Sequence, residues 1–366
     1  MKILFCTNAF ENVTNGPAKF ANLLLKINET YSEHQIKILT EDVSSDTKNV
    51  YKLNIKYPKI LKLFSHYFRI QQYHNKAKEI KEKEYNWDVI VYNNAFIGMK
   101  SAAVFKNTVG MINDDNNATT KFGFSYLKIR YFIFKKLEKI ATKRFKLILT
   151  NSIYTKNILT KVYPALKNKC EILYKGIELN SNEITPNFNT PITILFVKKD
   201  FNRGGLLYLL NAISLIDFNI SLKIIGPKLE ELNSDYKKII QNSKHSIQVL
   251  GPKPQQETFR LMQETDIFCV PSLQEALGVA NIEAMSFGCS VISTNVGGIP
   301  EVLNYGKNGW LVAPKSEKEI AKAIIECCEN SELREKKRKN AYEYIKKFNI
   351  DHTIDNFVTI LKNKFT

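Results

Sequence analysis

The chain has 366 residues, 44% of them hydrophobic and 24% charged, which is ordinary for a globular protein and, at roughly 100–200 residues per domain, points to two domains. Its formal net charge of +17 favours an anionic partner (a nucleotide, a phospholipid surface or nucleic acid) without choosing among them. No apolar run reaches the ~18 residues of a membrane-spanning helix, and neither the six cysteines nor the five histidines fall in a disulfide-framework or metal-site spacing, so reduced thiols and no structural metal are expected.

The first residues, "MKILFCTN", carry one lysine and a short apolar run, without the length or the cleavage site of a signal peptide. They read as a buried first strand, and the protein is expected in the cytoplasm. Further short runs rich in Val and Ile follow at 36–40, 88–93, 108–113, 147–151 and 171–174. A second set lies at 192–197, 221–226, 247–251, 266–271 and 290–294. Most are continuously apolar, as expected for parallel strands covered on both faces. Helical patterns alternate with them, which implies doubly wound α/β sheets.

The polar, Pro-containing stretch 180–191 separates the two sets and reads as a linker. The expected layout is a Rossmann-like domain over 1–180, a linker over 181–190, and a second Rossmann-like domain over 191–345 facing the first across a cleft. A C-terminal helix over 346–366 would pack back on the first domain. Ser316 with Glu319 three residues on has the spacing of a capping box at the start of a helix.

Two N-terminal segments are basic and aromatic. Residues 56–83 place Ile60, Leu63, Phe64, Tyr67 and Ile70 near one helical face. Residues 121–146 carry nine Lys or Arg against one Glu, a net +8. Such segments fit helices lying on an anionic membrane, and equally fit core-facing helices with solvated lysines. No nucleic-acid module accompanies them, so no nucleic-acid partner is expected.

In "QEALGVANIEAMSFG" (274–288), Glu275 and Glu283 are separated by seven residues. In open α/β sheets ligands bind beyond the carboxyl ends of the strands. The strand ending at Pro271 would lead through a loop to a helix opening near Val279 and stopping at Gly288. The N–H groups of Gly278, Val279 and Ala280 would favour a diphosphate, with Gly278 allowing close approach. Glu275 would then lie beside the group attached to the diphosphate. Glu283, about one turn into the helix, would reach a ribose diol. Taken alone, two glutamates at this spacing read better as a solvated loop residue and a surface helix residue than as a ligand pair.

The surrounding motifs decide between those readings. The pair stands with "PS" before it, "EAM..G" after it, "GGIPE" (297–301) and "NGWLV" (308–312), and this order closely resembles the retaining glycosyltransferases of family four, which have the GT-B fold. "KKDFNRGGLLYLLNAI" (198–213) resembles that family's phosphate-binding loop, "NGPAKFANLL" (15–24) its first glycine loop, and "YKGIEL" (174–179) the end of its first domain. The resemblance implies a C-terminal domain binding a UDP- or GDP-linked sugar and an N-terminal domain binding a glycan or lipid-linked acceptor. Transfer would occur with retention and without a bound metal, so cations must balance the leaving diphosphate.

Carried over residue by residue, Lys198, Lys199 and Arg203 would supply those cations, Gly16 would approach the donor from the first domain, and Lys253 would line the donor site. Two departures stand out. Gly204 occupies the place of the family's second cation, with Arg203 adjacent. Asn113, followed by Asp114, stands where the family often has a histidine. Bacterial surface polysaccharide or lipopolysaccharide assembly is the expected setting, with peripheral attachment at the inner face of the membrane. Two other classes remain open: a same-fold nucleotide-sugar enzyme of epimerase or phosphorylase type, and a non-catalytic basic binding protein. A dehydrogenase is not expected, because no G-x-G-x-x-G follows the first strand.

Overall fold

The computed structural model describes residues 1–11, 16–30, 34–56, 65–83, 86–119, 126–180, 188 and 191–366. The chain divides into two compact units, Met1–Lys175 with Asp351–Thr366, and Gly176–Ile350. Each is a Rossmann-like α/β unit built on one parallel sheet.

The first unit holds β1 (Lys2–Thr7), β2 (Gln35–Thr40), β3 (Val50–Lys52), β4 (Val89–Tyr92), β5 (Thr108–Met111), β6 (Leu147–Thr150) and β7 (Cys170–Ile172), in the order β3-β2-β1-β4-β5-β6-β7. The pairing is parallel, with Phe5 of β1 flanked by Ile38 on one side and Val91 on the other. Ile3, Leu4, Phe5, Val89 and Val91 are fully buried, which is what continuous apolar strands covered on both faces require. Tyr73, Tyr92 and Phe145 fill the core beside them.

The helix Ile350–Phe365 belongs to this unit, apart from its first residue. Its Phe357 is buried and meets Phe20 edge-on at 5.7 Å, and Thr353 donates a hydrogen bond to the Tyr174 carbonyl at 3.2 Å.

The second unit holds β8 (Ile192–Val197), β9 (Ile220–Ile225), β10 (Ser246–Gly251), β11 (Ile267–Val270), β12 (Ser290–Thr294) and β13 (Trp310–Val312), in the order β10-β9-β8-β11-β12-β13. Asp266 fixes the lower end of this sheet. Its carboxylate accepts from the Thr193 N–H at 2.8 Å, the Thr193 hydroxyl at 2.6 Å and the Phe188 N–H at 3.0 Å. At helix Glu317–Glu329, Ser316 caps the Glu319 N–H at 3.3 Å. The Glu319 carboxylate turns instead to the Ala313 N–H, so the reciprocal half of the expected box is replaced.

Of the expected linker, only Phe188 lies among the described residues. Of the first basic segment, Ser65–Lys83 is helical, while Ile60, Leu63 and Phe64 lie outside the described residues. The buried stripe there runs Ile70, Tyr73, Ala77, Ile80, and Tyr67 is 63% exposed, not core-facing. Of the second basic segment, Tyr126–Arg144 is helical. No described helix is long and apolar enough to cross a membrane.

Candidate functional site

In the second unit the chain leaves β8 toward β9 on one side and reaches β11 on the other, so the sheet's switch point lies between β8 and β11. Ligand crevices of open α/β sheets form at this place, beyond the carboxyl ends. Two loops rise there, Lys198–Gly205 from β8 and Pro271–Gly278 from β11.

Each loop ends in a left-handed glycine that opens a helix. Gly205 (φ 74°) precedes helix Leu206–Ser214, and Gly278 (φ 91°) precedes helix Val279–Ser286. Neither helix start carries a side-chain cap. A capping Ser or Asp would spend its oxygen on these N–H groups; Gly278 has none, whereas at the other start the Leu206 N–H already donates to the Phe201 carbonyl at 3.1 Å. A Cβ on Gly205 would lie 2.1 Å from the Pro271 carbonyl oxygen, so the two loops touch through backbone.

The loops are joined by two further contacts. The Leu273 N–H donates to the Arg203 carbonyl at 2.7 Å. The Lys198 ammonium donates to Glu275 Oε2 in an ion pair whose side chains are 26% and 22% exposed. Glu275 Oε1 also accepts from the Ala276 N–H at 3.2 Å. The carboxylate is thus held from two directions and remains partly open to solvent.

Gly204 has a steric explanation. A Cβ there would lie 2.7 Å from Phe196 and 2.8 Å from Lys198 Cγ, so a second cation does not fit at this position. Arg203, one residue earlier, is exposed, and its backbone N–H is held by Asp200 Oδ1 at 3.0 Å. Among the described residues, neither the Arg203 guanidinium nor the Lys199 ammonium has an ion-pair partner. The loop therefore offers cations at 198, 199 and 203.

The segment "GGIPE" supports the Glu275 loop from behind. The Gly298 N–H approaches the Glu275 carbonyl at 3.4 Å, and a Cβ on Gly297 (φ 57°) would lie 1.6 Å from that same oxygen. Helix Val279–Ser286 carries Ile282, Ala284 and Met285 buried, with half-buried Glu283 in its second turn. Asn281 was not legible as a site residue. It is buried in the first turn with its Oδ1 unpartnered, and its Nδ2 lies 2.9 Å from where a Gly278 Cβ would be.

The structure thus brings together Lys198, Glu275, Gly278, Val279 and Ala280, with Lys199, Arg203 and Glu283 on the same two loop–helix junctions. Lys253 stands apart: it follows the edge strand β10, and its ammonium pairs with Glu257 at 2.8 Å.

Gly16, Asn113 and Asp114 belong to the first unit. Gly16 opens helix Gly16–Thr30; most of the loop before it, 12–15, lies outside the described residues. Asn113 follows β5, and its carbonyl accepts from Asn151 Nδ2 at 3.0 Å. Asp114 is exposed and accepts from the Asn116 N–H at 3.0 Å. Behind this loop Glu138 is buried and accepts from Asn117 Nδ2 at 2.9 Å. Burial pushes the Glu138 carboxyl up to about 7, and the Asp114 charge adds to the rise.

Residues 179–344 match the sequence family described as glycosyl transferases group 1. An uncharacterised glycosyltransferase of Methanocaldococcus jannaschii is 33% identical over 225 residues, 61% of this chain and 59% of that protein. The match therefore spans less than two thirds of that relative. A 41.2 kDa protein of the cps region of Klebsiella pneumoniae is 27% identical over 307 residues, 78% of this chain and 81% of that one. Among solved structures, sucrose-phosphate synthase from Thermosynechococcus elongatus is similar with a TM-score of 0.78 at 16% identity, covering 100% of this chain and 99% of that one. Anabaena HepE in complex with UDP-glucose is similar with a TM-score of 0.71 at 16% identity, covering 99% and 100%. At these identities the structural likeness carries the GT-B fold alone.

Proposed function

We propose that this chain, whose residues 179–344 match the glycosyl transferases group 1 family, transfers a sugar from a nucleoside diphosphate donor to a glycan or lipid-linked acceptor with retention at the anomeric carbon. The observation that carries this reading is the Lys198–Glu275 pair set between two glycine-capped helix starts at the switch point of the second sheet.

In this reading the helix start at Gly278 to Ala280 receives the diphosphate. Lys198, Lys199 and Arg203 balance the charge that grows on it as the glycosidic bond breaks, which is stabilisation aimed at the transition state. A cation set of this kind serves without a bound metal. Glu275 accepts hydrogen bonds from the sugar hydroxyls, and Glu283 accepts them from the ribose diol. Gly16 serves the donor diphosphate, and Asn113 and Asp114 serve the acceptor side; Asn113 can hydrogen-bond a hydroxyl but not titrate near neutral pH. Lys253, engaged by Glu257 beside an edge strand, is given only a peripheral part.

The Klebsiella relative from a cps region supports bacterial surface polysaccharide as the setting, and the HepE complex supports a UDP-linked donor. A lipid-carried acceptor would be met at the inner face of an anionic membrane, where the basic helices of the first unit are suited to lie.

The test is donor turnover by Glu275→Gln and Lys198→Ala. Both variants are expected to keep the wild-type melting temperature within a few degrees and to lose about 100-fold or more in kcat/KM. Wild-type turnover in either would remove this assignment.

A further inference from the structure

Helix Tyr126–Arg144 of the first unit turns an apolar stripe to solvent. Ile129, Ile133 and Ile140 are 41%, 51% and 40% exposed. At 3.6 residues per turn their directions fall within roughly 40° of one another, along about 16 Å of helix. The opposite face, with Phe134, Glu138, Ala141 and Thr142, is buried in the unit. Among the described side chains of the helix, every exposed charged one is cationic: Arg130, Lys136, Lys139, Lys143 and Arg144. Its one carboxylate, Glu138, is in the core. Three isoleucines exposed in one line are thus bordered by five cations with no exposed acid among them.

This pattern fixes the chemistry of what covers the stripe. A protein face complementary to five cations would have to bring a matching set of carboxylates. A bilayer with anionic headgroups supplies negative charge everywhere around the apolar insertion and needs no matched geometry. The long side chains suit this arrangement, since their stems lie along apolar surface while the charges stay at headgroup level. Lys136 already packs over the Phe132 ring at 4.7 Å and Arg130 over Phe134 at 5.4 Å, which holds both stems against the helix. Tyr67 adds an exposed ring on the neighbouring helix; the adjacent His66 meets Phe134 edge-on at 4.7 Å.

We infer that the Ile129–Ile133–Ile140 stripe inserts into the acyl boundary of an anionic membrane, with Lys136, Lys139, Lys143 and Arg144 seated among the headgroups. The purpose, access to a lipid-carried acceptor, rests on the transferase reading; the contact itself does not. With only three aliphatic side chains inserted, attachment is reversible and falls with ionic strength.

The experiment is sedimentation of the full chain with vesicles of phosphatidylcholine alone and with about one third phosphatidylglycerol. Binding is expected to the anionic vesicles and to be lost on raising salt from about 0.05 to 0.5 M. The triple variant Ile129→Ser, Ile133→Ser, Ile140→Ser should bind at least about tenfold more weakly. The control Leu215→Ser, which removes an exposed leucine of the second unit, should bind as wild type. Nucleotide affinity and the melting curve, read on the same preparations, should be unchanged by the triple variant, so that failure here is distinct from failure of the donor site. Equal binding to neutral vesicles, no binding to either, or full binding by the triple variant would overturn the inference. So would self-association in sedimentation velocity that the triple variant abolishes, because a second copy would then own the stripe.

Discussion

Gly297→Ala isolates how the Glu275 loop is held. Two costs arise. A left-handed φ of 57° disfavours any residue with a Cβ by about 1 kcal/mol. The new Cβ would also lie 1.6 Å from the Glu275 carbonyl oxygen, so the loop must retreat by about 1.4 Å to reach even a 3.0 Å contact. Misplacement of that size costs on the order of 100-fold in rate when it falls on a group that positions substrate. Gly306→Ala is the control. Its φ is 91°, but its Cβ would meet nothing nearer than Leu311 Cδ1 at 4.0 Å, so it carries the strain without the displacement. Both variants should melt a few degrees lower, at about 2–4 °C per kcal/mol for a unit of this size. Only Gly297→Ala should lose donor turnover, by about 30- to 100-fold in kcat/KM. Thermal melts followed by circular dichroism and a nucleotide-release assay read the two effects separately. If the two variants lose activity equally, or neither does, the Glu275 loop is not seated on Gly297 in the way described.

Arg203→Ala should lower kcat by about 10- to 100-fold with little change in melting temperature, because the side chain makes no ion pair among the described residues and would act only on developing charge; Lys253→Ala, removing an ammonium already paired with Glu257, should change kcat less than threefold on the same steady-state assay. Glu138 gives a pH prediction: its folded-state value of about 7 lies above that of an unfolded glutamate, so its contribution to stability is fully present below about pH 4.5 and is lost as pH rises through about 7. The loss amounts to up to about 3 kcal/mol. Denaturant titrations from about pH 4.5 to 8 should therefore show Glu138→Gln gaining on the wild type as pH rises, and parallel curves for the two would refute the buried-acid assignment.

Much of the fold was legible because the strands announce themselves as continuous apolar runs. The two that did not, Val50–Lys52 and Trp310–Val312, are three-residue edge strands, too short to show a period and held in register by β2 and β12. The loop–helix junction at Gly278 and the helix opening at Val279 were also readable, since a glycine followed by an apolar helical pattern has few other realisations. The meeting of Lys198 and Glu275 was not. They are 77 positions apart, and only the strand order, which sets β8 beside β11, brings them into contact. The backbone approach of Gly297 to Glu275 depends on the same adjacency. Lys253 follows β10, whose place at the edge of the sheet is likewise set only by the strand order. Tyr67 shares a helical face with Ile70 by spacing, but the buried stripe begins at Ile70 and Tyr67 itself is exposed.

The most direct measurement of the central claim is calorimetric binding of UDP, GDP and ADP to the wild-type chain and to Glu283→Ala. The account predicts that one nucleotide, with UDP first in order, binds clearly in a metal-free buffer, and that the variant loses most of that affinity while melting as the wild type does. Absence of binding by all three, or undiminished binding by Glu283→Ala, would contradict it.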